Sequence, residues 1–159
     1  MRWLHLTDLH IGRSHDQNQE NALASLVRDI ASLPDLGDVD CIFLTGDLAW
    51  SGQDAEYQRF EQLVLHPLRD VDGLRSARVF TVPGNHDLDC DKALPVAWDA
   101  LGSQRQSMFF ASTAQALREP RSRAFEAYSK FVTRNGIDGV DPVRDLFAAY
   151  EVESKIGSV

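Results

Sequence analysis

Three short apolar runs each break into a polar turn, and this repeated event limits what the chain can fold into. Residues 3–7 (Trp-Leu-His-Leu-Thr) give way to Asp8, Leu9 and His10, and residues 40–45 (Asp-Cys-Ile-Phe-Leu-Thr) to Gly46 and Asp47. Residues 78–82 (Arg-Val-Phe-Thr-Val) stop at Pro83 and Gly84 and present Asn85, His86 and Asp87. Short apolar runs bounded by turn residues read as buried strands. Between the first two, Leu23, Leu26, Val27, Ile30 and Leu33 recur at helical spacing before Pro34. Between the second and third, residues 53–72 carry a second stripe, Tyr57, Phe60, Val64, Leu68 and Val71, which Pro67 is expected to kink. Strands joined by helices are the pattern of a parallel α/β sheet.

Parallel neighbours bring their C-terminal ends together, which is where open α/β sheets place their ligands. Asp8, His10, Asp47, Asn85 and His86 then meet on one rim. Hard oxygens and imidazole nitrogens gathered there describe a site for divalent metal. Asp47, in the middle of the series, is the natural bridge between two ions. Gly46 before it permits a tight turn and a close backbone approach.

In order and context, Asp8-Leu-His10, Gly46-Asp47 and Gly84-Asn-His-Asp87 resemble the first three motifs of the calcineurin-like metallophosphoesterases. The likeness covers residues 1–92. It implies an α/β fold of the αββα sandwich type, of which residues 1–92 form the N-terminal βαβαβ half and residues 93–159 a mainly helical continuation of the same domain. It also implies roles: Asp8 and His10 on the first ion, Asp47 bridging, Asn85 on the second. His86 contacts the phosphate and helps the leaving oxygen depart as general acid, and adjacency suggests Asp87 to orient its imidazole, a helix cap being the equal alternative. The implied cofactors are two divalent ions, manganese, iron or zinc, and the implied substrate is a small phosphoester. Gly46-Asp-Leu-Ala, Ser51-Gly52, Glu56-Tyr57 and Phe60 look like the bacterial branch that holds cyclic-nucleotide phosphodiesterases and the modules of multidomain proteins, so phosphodiesters, cyclic nucleotides first, are expected.

Two departures stand out. Many relatives carry Asp or Asn where this chain has Trp50, which makes either an aromatic lip beside the pocket or plain packing. The family completes its site with later histidines, in a Gly-His and a Gly-His-x-His block, and no histidine follows His86 here. The first ion keeps three protein ligands and the second two, so the metals should exchange readily. Three strands make only one half of the sandwich and leave an apolar sheet face. The chain therefore reads as the N-terminal piece of a longer protein, with the other half or an oligomer partner covering that face, unless helices of the last third cover it. The alternatives to a phosphohydrolase are a catalytically incomplete binding or regulatory module and a DNA nuclease.

The remaining features bound the reading. A chain of 159 residues, 43% hydrophobic, suits one domain with a real core, and no stretch is long enough to span a bilayer. With no signal-peptide pattern after Met1, a cytoplasmic location is expected. A net charge of −8 argues against a broad basic face for duplex nucleic acid. Two cysteines make no disulfide framework: Cys41 reads as core, and Cys90, between Asp89 and Asp91, as a loop thiol with extra-ligand status as its less favoured role. His5, His15 and His66 read as structural or solvent-facing, and Arg118, Arg121 and Arg123 as a solvated basic turn. Residues 93–101 suggest a short helix and residues 108–111 a short apolar run. Phe125, Tyr128, Phe131 and Val132 mark a helix ended by Asn135-Gly136, and Asp141-Pro142 opens another.

Overall fold

The computed structural model describes residues 1–13, 17–33, 36–92 and 122–139. Its centre is a four-stranded, all-parallel sheet in the order β1-β2-β3-β4: Trp3–Leu6, Cys41–Thr45, Arg78–Val82 and Asp138–Gly139. The first three are the three apolar runs. The fourth, two residues long, pairs Asp138 with Phe80 and Gly139 with Thr81, and nothing in its composition announces it. Expectations for His15, Pro34, Arg118, Arg121, residues 93–101, 108–111 and the helix after Asp141 lie outside the described residues.

Helix α1, Gln17–Ala31, returns the chain from β1 to β2. Leu23 and Ile30 are buried beneath it, Leu26 and Val27 are half-buried, and Leu33 lies exposed beyond its end. Between β2 and β3 the chain forms α2 (Asp54–Phe60), a π-helical segment (Glu61–Leu65) and α3 (His66–Asp70). The expected kink is thus a widened turn just upstream of Pro67. A proline inside a helix lacks an N–H and clashes with the carbonyl one turn back, and π turns relax such conflicts without breaking the rod. Helix α4, Glu126–Asn135, ends on Gly136 in the left-handed conformation, φ 58°.

Neighbouring parallel strands in sequential order, joined by connections of one hand, place every crossover on the same side of the sheet. Leu6, Ile42, Leu44 and Val79 from that face pack with Tyr57, Phe60, Val64 and Leu68, and α4 adds Ala127, Tyr128 and Phe131 to the same core. The Tyr57 and Phe131 rings stack at 5.1 Å. Charged groups tie the layer at its edge: Arg134 and Asn135 both reach Glu61 Oε1, at 2.6 and 2.9 Å, and Arg59 pairs with Glu20 between α2 and α1. The period-2 alternation sends Trp3, His5, Phe43, Phe80 and Val82 to the opposite face. Trp3 remains 59% exposed and Val82 41%. Helix α4 lies with α2 in the core layer, and among the described residues no helix packs on that second face.

Candidate metal centre

Beyond their last ladder positions the loops after β1 and β2 run side by side. Asp8 N donates to Gly46 O at 3.2 Å, His10 N to Asp47 O at 2.9 Å and Ile11 N to Leu48 O at 2.8 Å, and Trp50 N returns a bond to Ile11 O at 3.0 Å. This pairing puts Asp8, His10 and Asp47 in left-handed backbone, with φ of 56°, 47° and 51°. They are the non-glycine residues with positive φ among those described, and each is an expected ligand. Such strain persists where surrounding structure imposes it, and it clusters at functional sites.

The loop after β3 joins through Asp47. Its Oδ1 accepts the His86 backbone N–H at 2.9 Å. Gly84 makes the approach possible, because a Cβ there would stand 2.1 Å from Asp47 Oδ1 and 2.5 Å from Asp47 N.

Donor atoms of His10, Asp47 and His86 lie within 4.8 Å of one another. Asp8 flanks them, its Oδ1 3.8 Å from His10 Nε2. The Thr7 hydroxyl sits 2.6 Å from Asp8 Oδ2 and 2.8 Å from Thr45 O, bracing the first carboxylate against the second strand. Asn85 is exposed on the same turn as His86. His5 faces away from this rim, with Nε2 2.5 Å from Thr45 Oγ1, and Cys90 and His66 are exposed and outside the donor group. Buried His10 Nδ1 has no hydrogen-bond partner. A buried imidazole nitrogen left without a partner, beside a carboxylate and a second imidazole, suits a divalent cation of borderline softness.

Two expectations change. Adjacency pointed to Asp87 as the group that orients His86, whereas the contact to the imidazole is made by the Trp50 carbonyl, 2.8 Å from Nδ1. The Asp87 side chain, fully buried, turns away to accept Ala49 N (3.0 Å), Tyr57 OH (2.8 Å) and Gly84 N (2.8 Å). It clips the third loop to the second and to α2. Burial, and next the neighbouring Asp87 carboxylate, push the Tyr57 hydroxyl far above the usual tyrosine range, so it remains a donor. Trp50, weighed as lip or packing, is a lip: its ring stacks on His86 at 4.5 Å and meets His10 edge-on at 5.4 Å. Arg13, missed in the sequence, lies over that indole at 5.2 Å.

A parallel α/β sheet with nitrogen and oxygen donors converging at its strand ends is a scaffold with a candidate site for a divalent metal. A family model for calcineurin-like phosphoesterases matches residues 1–152, and the chain belongs to that family. Its members typically bind divalent metals and act on phosphoesters, which makes the chain a hydrolase by class. Among curated proteins none matches the chain. No described helix is long and apolar enough to cross a membrane.

Proposed function

We propose that the chain is a two-metal phosphoesterase acting on phosphodiesters, with cyclic nucleotides as the favoured group. The observation that carries this reading is the convergence of His10, Asp47 and His86 from three separate strand ends, with Asp8 beside them. Asp8 and His10 would hold the first ion, Asp47 would bridge, and Asn85 would reach the second. Held by these residues, divalent ions would supply an acidified water, a grip on the phosphate and charge neutralisation as the oxyanions develop.

The remaining work falls to side chains. A carbonyl only accepts, so the Trp50 contact places a proton on His86 Nδ1 and leaves Nε2 for the phosphoester. A protonated His86 can then donate from Nε2 to the departing oxygen. The Asp87 clip keeps the His86 turn at a fixed distance from Asp47. Residues 1–92 carry the proposed ligands, and residues 93–159 continue the same domain, to which α4 contributes core residues. Manganese, iron and zinc all suit this donor set, and a cytoplasmic setting suits the two free thiols.

Hydrolysis of bis(p-nitrophenyl) phosphate by manganese-loaded chain tests the reading. Turnover lost in Asp47→Ala and His86→Ala supports it; none from folded, metal-loaded protein favours a binding module. Chromatography of 3′,5′-cyclic adenosine monophosphate digests tests the nucleotide preference, and plasmid cleavage would favour the nuclease. A second reading has its own observation: the tightest donor group includes His86. One manganese per chain, rather than two, would make His86 a ligand of a single ion.

A further inference from the structure

Arg13 is the cation that the proposed chemistry leaves unused. Four described guanidinium groups pair with carboxylates, Arg59 with Glu20, Arg75 with Asp72, Arg78 with Asp138 and Arg134 with Glu61 and Asp54, while Arg28 and Arg69 are hydrogen-bonded to Ser25 and to the Asn135 carbonyl. Arg13 instead lies over the Trp50 ring, and among the described residues no carboxylate meets it. What distinguishes Arg13 is its place beside the donor group, over the ring that stacks on His86, in a chain of net charge −8.

The geometry gives it a setting. Trp50 is itself stacked on His86 and edge-on to His10, so Arg13 stands one indole away from the donor atoms. An indole face is the best aromatic partner for a guanidinium. Stacking restrains the long side chain while its edge N–H groups, arranged as a planar fork, remain for an oxyanion. The indole lies between the guanidinium and the His86 ring in this chain of contacts, so the cation is offered to the part of a substrate beyond the metal-held phosphate. A substrate extending over Trp50 reaches it.

We propose that Arg13, seated on Trp50, binds a second oxyanion of the substrate, so that the site prefers phosphoesters carrying a further anionic group remote from the scissile one. This rests on the strand ends being a phosphoester site, and it narrows the nucleotide class: a cyclic dinucleotide carries such a group and a cyclic mononucleotide does not. Trp50 is the positioning residue for Arg13.

Calorimetric binding to manganese-loaded chain, with ligands that cannot be hydrolysed, tests it. The probes are butylphosphonate, butane-1,4-diyl bisphosphonate and 5-phosphonopentanoate. The second oxyanion should tighten binding about tenfold over butylphosphonate, as a charge-assisted hydrogen bond does. Gain confined to the bisphosphonate identifies a phosphoryl group, and gain with 5-phosphonopentanoate extends it to carboxylates. Arg13→Gln should bring the ligands within about twofold of each other, and Arg13→Lys should restore only part of the gain, since an ammonium lacks the planar fork. Trp50→Ala should shrink the gain by freeing Arg13. No advantage in the unaltered chain, or an advantage that survives Arg13→Gln, overturns the proposal while leaving the phosphoester reading intact. Failure of butylphosphonate itself to bind overturns that reading, and the proposal with it.

Discussion

Asp8, His10 and Asp47 adopt a backbone conformation that side chains disfavour, and they do so at the rim where strands end. Each such residue costs about 1 kcal/mol or more, a cost consistent with a site held for function. Asp8→Gly should therefore raise stability by about 1 kcal/mol and weaken manganese binding, which denaturant melts and calorimetry on the same protein would register. Asp87 shows the opposite case, a charge kept for architecture. Asp87→Ala strands three donors, and at roughly 1 kcal/mol or more for each one left unpaired, urea denaturation should read a loss of roughly 3–5 kcal/mol. That His10, Asp47 and His86 come together, with Asp8 beside them, was legible because each follows an apolar run within a few residues and parallel strands bring the run ends together. The direction of the Asp87 side chain was not legible. Its partners Ala49 and Tyr57 lie 38 and 30 positions away in sequence, and adjacency to His86 pointed the wrong way.

Among the elements, α2 reaches the third loop through the Tyr57 hydroxyl. Tyr57 belongs to an apolar stripe and packs on Phe131, yet its OH ends on Asp87. The stripe was readable as core; a tyrosine where phenylalanine would fill the space was the available sign of a polar contact. Because burial and Asp87 raise its pKa, the stability it contributes is fully present below the ordinary tyrosine value of about 10 and is lost as pH rises beyond it, since the unfolded chain releases the proton first. Tyr57→Phe should flatten that alkaline loss and cost about 1.5–3 kcal/mol at neutral pH, as thermal melts across pH would report. The π segment and β4 escaped sequence reading for different reasons. Pro67 announced a disturbance but not whether the helix would bend or widen. Asp138–Gly139 is only two residues long, too short for any alternation to show, and the pair its carboxylate makes with Arg78 joins residues 60 positions apart.

At the scale of the whole molecule, sequential strand order explains why the described helices all gather on one side of the sheet. One layer of helices covers one sheet face, and Trp3, Phe43 and Val82 remain on the other. Composition and alternation made the apolar second face foreseeable, and the structure adds that α4 joins the first layer. With no histidine after His86 to add ligands, bound metal should exchange readily: dialysis against a chelator should strip it within minutes to hours while the circular dichroism of the helices persists. Asp47 is the point where the loops after β1, β2 and β3 touch. The most direct test of a metal held there is the manganese affinity of the chain beside that of Asp47→Ala, measured by calorimetry. The account predicts saturable binding in the first and a loss of at least about a hundredfold in the second, as expected for a deleted metal ligand. Equal affinity in the two would contradict it.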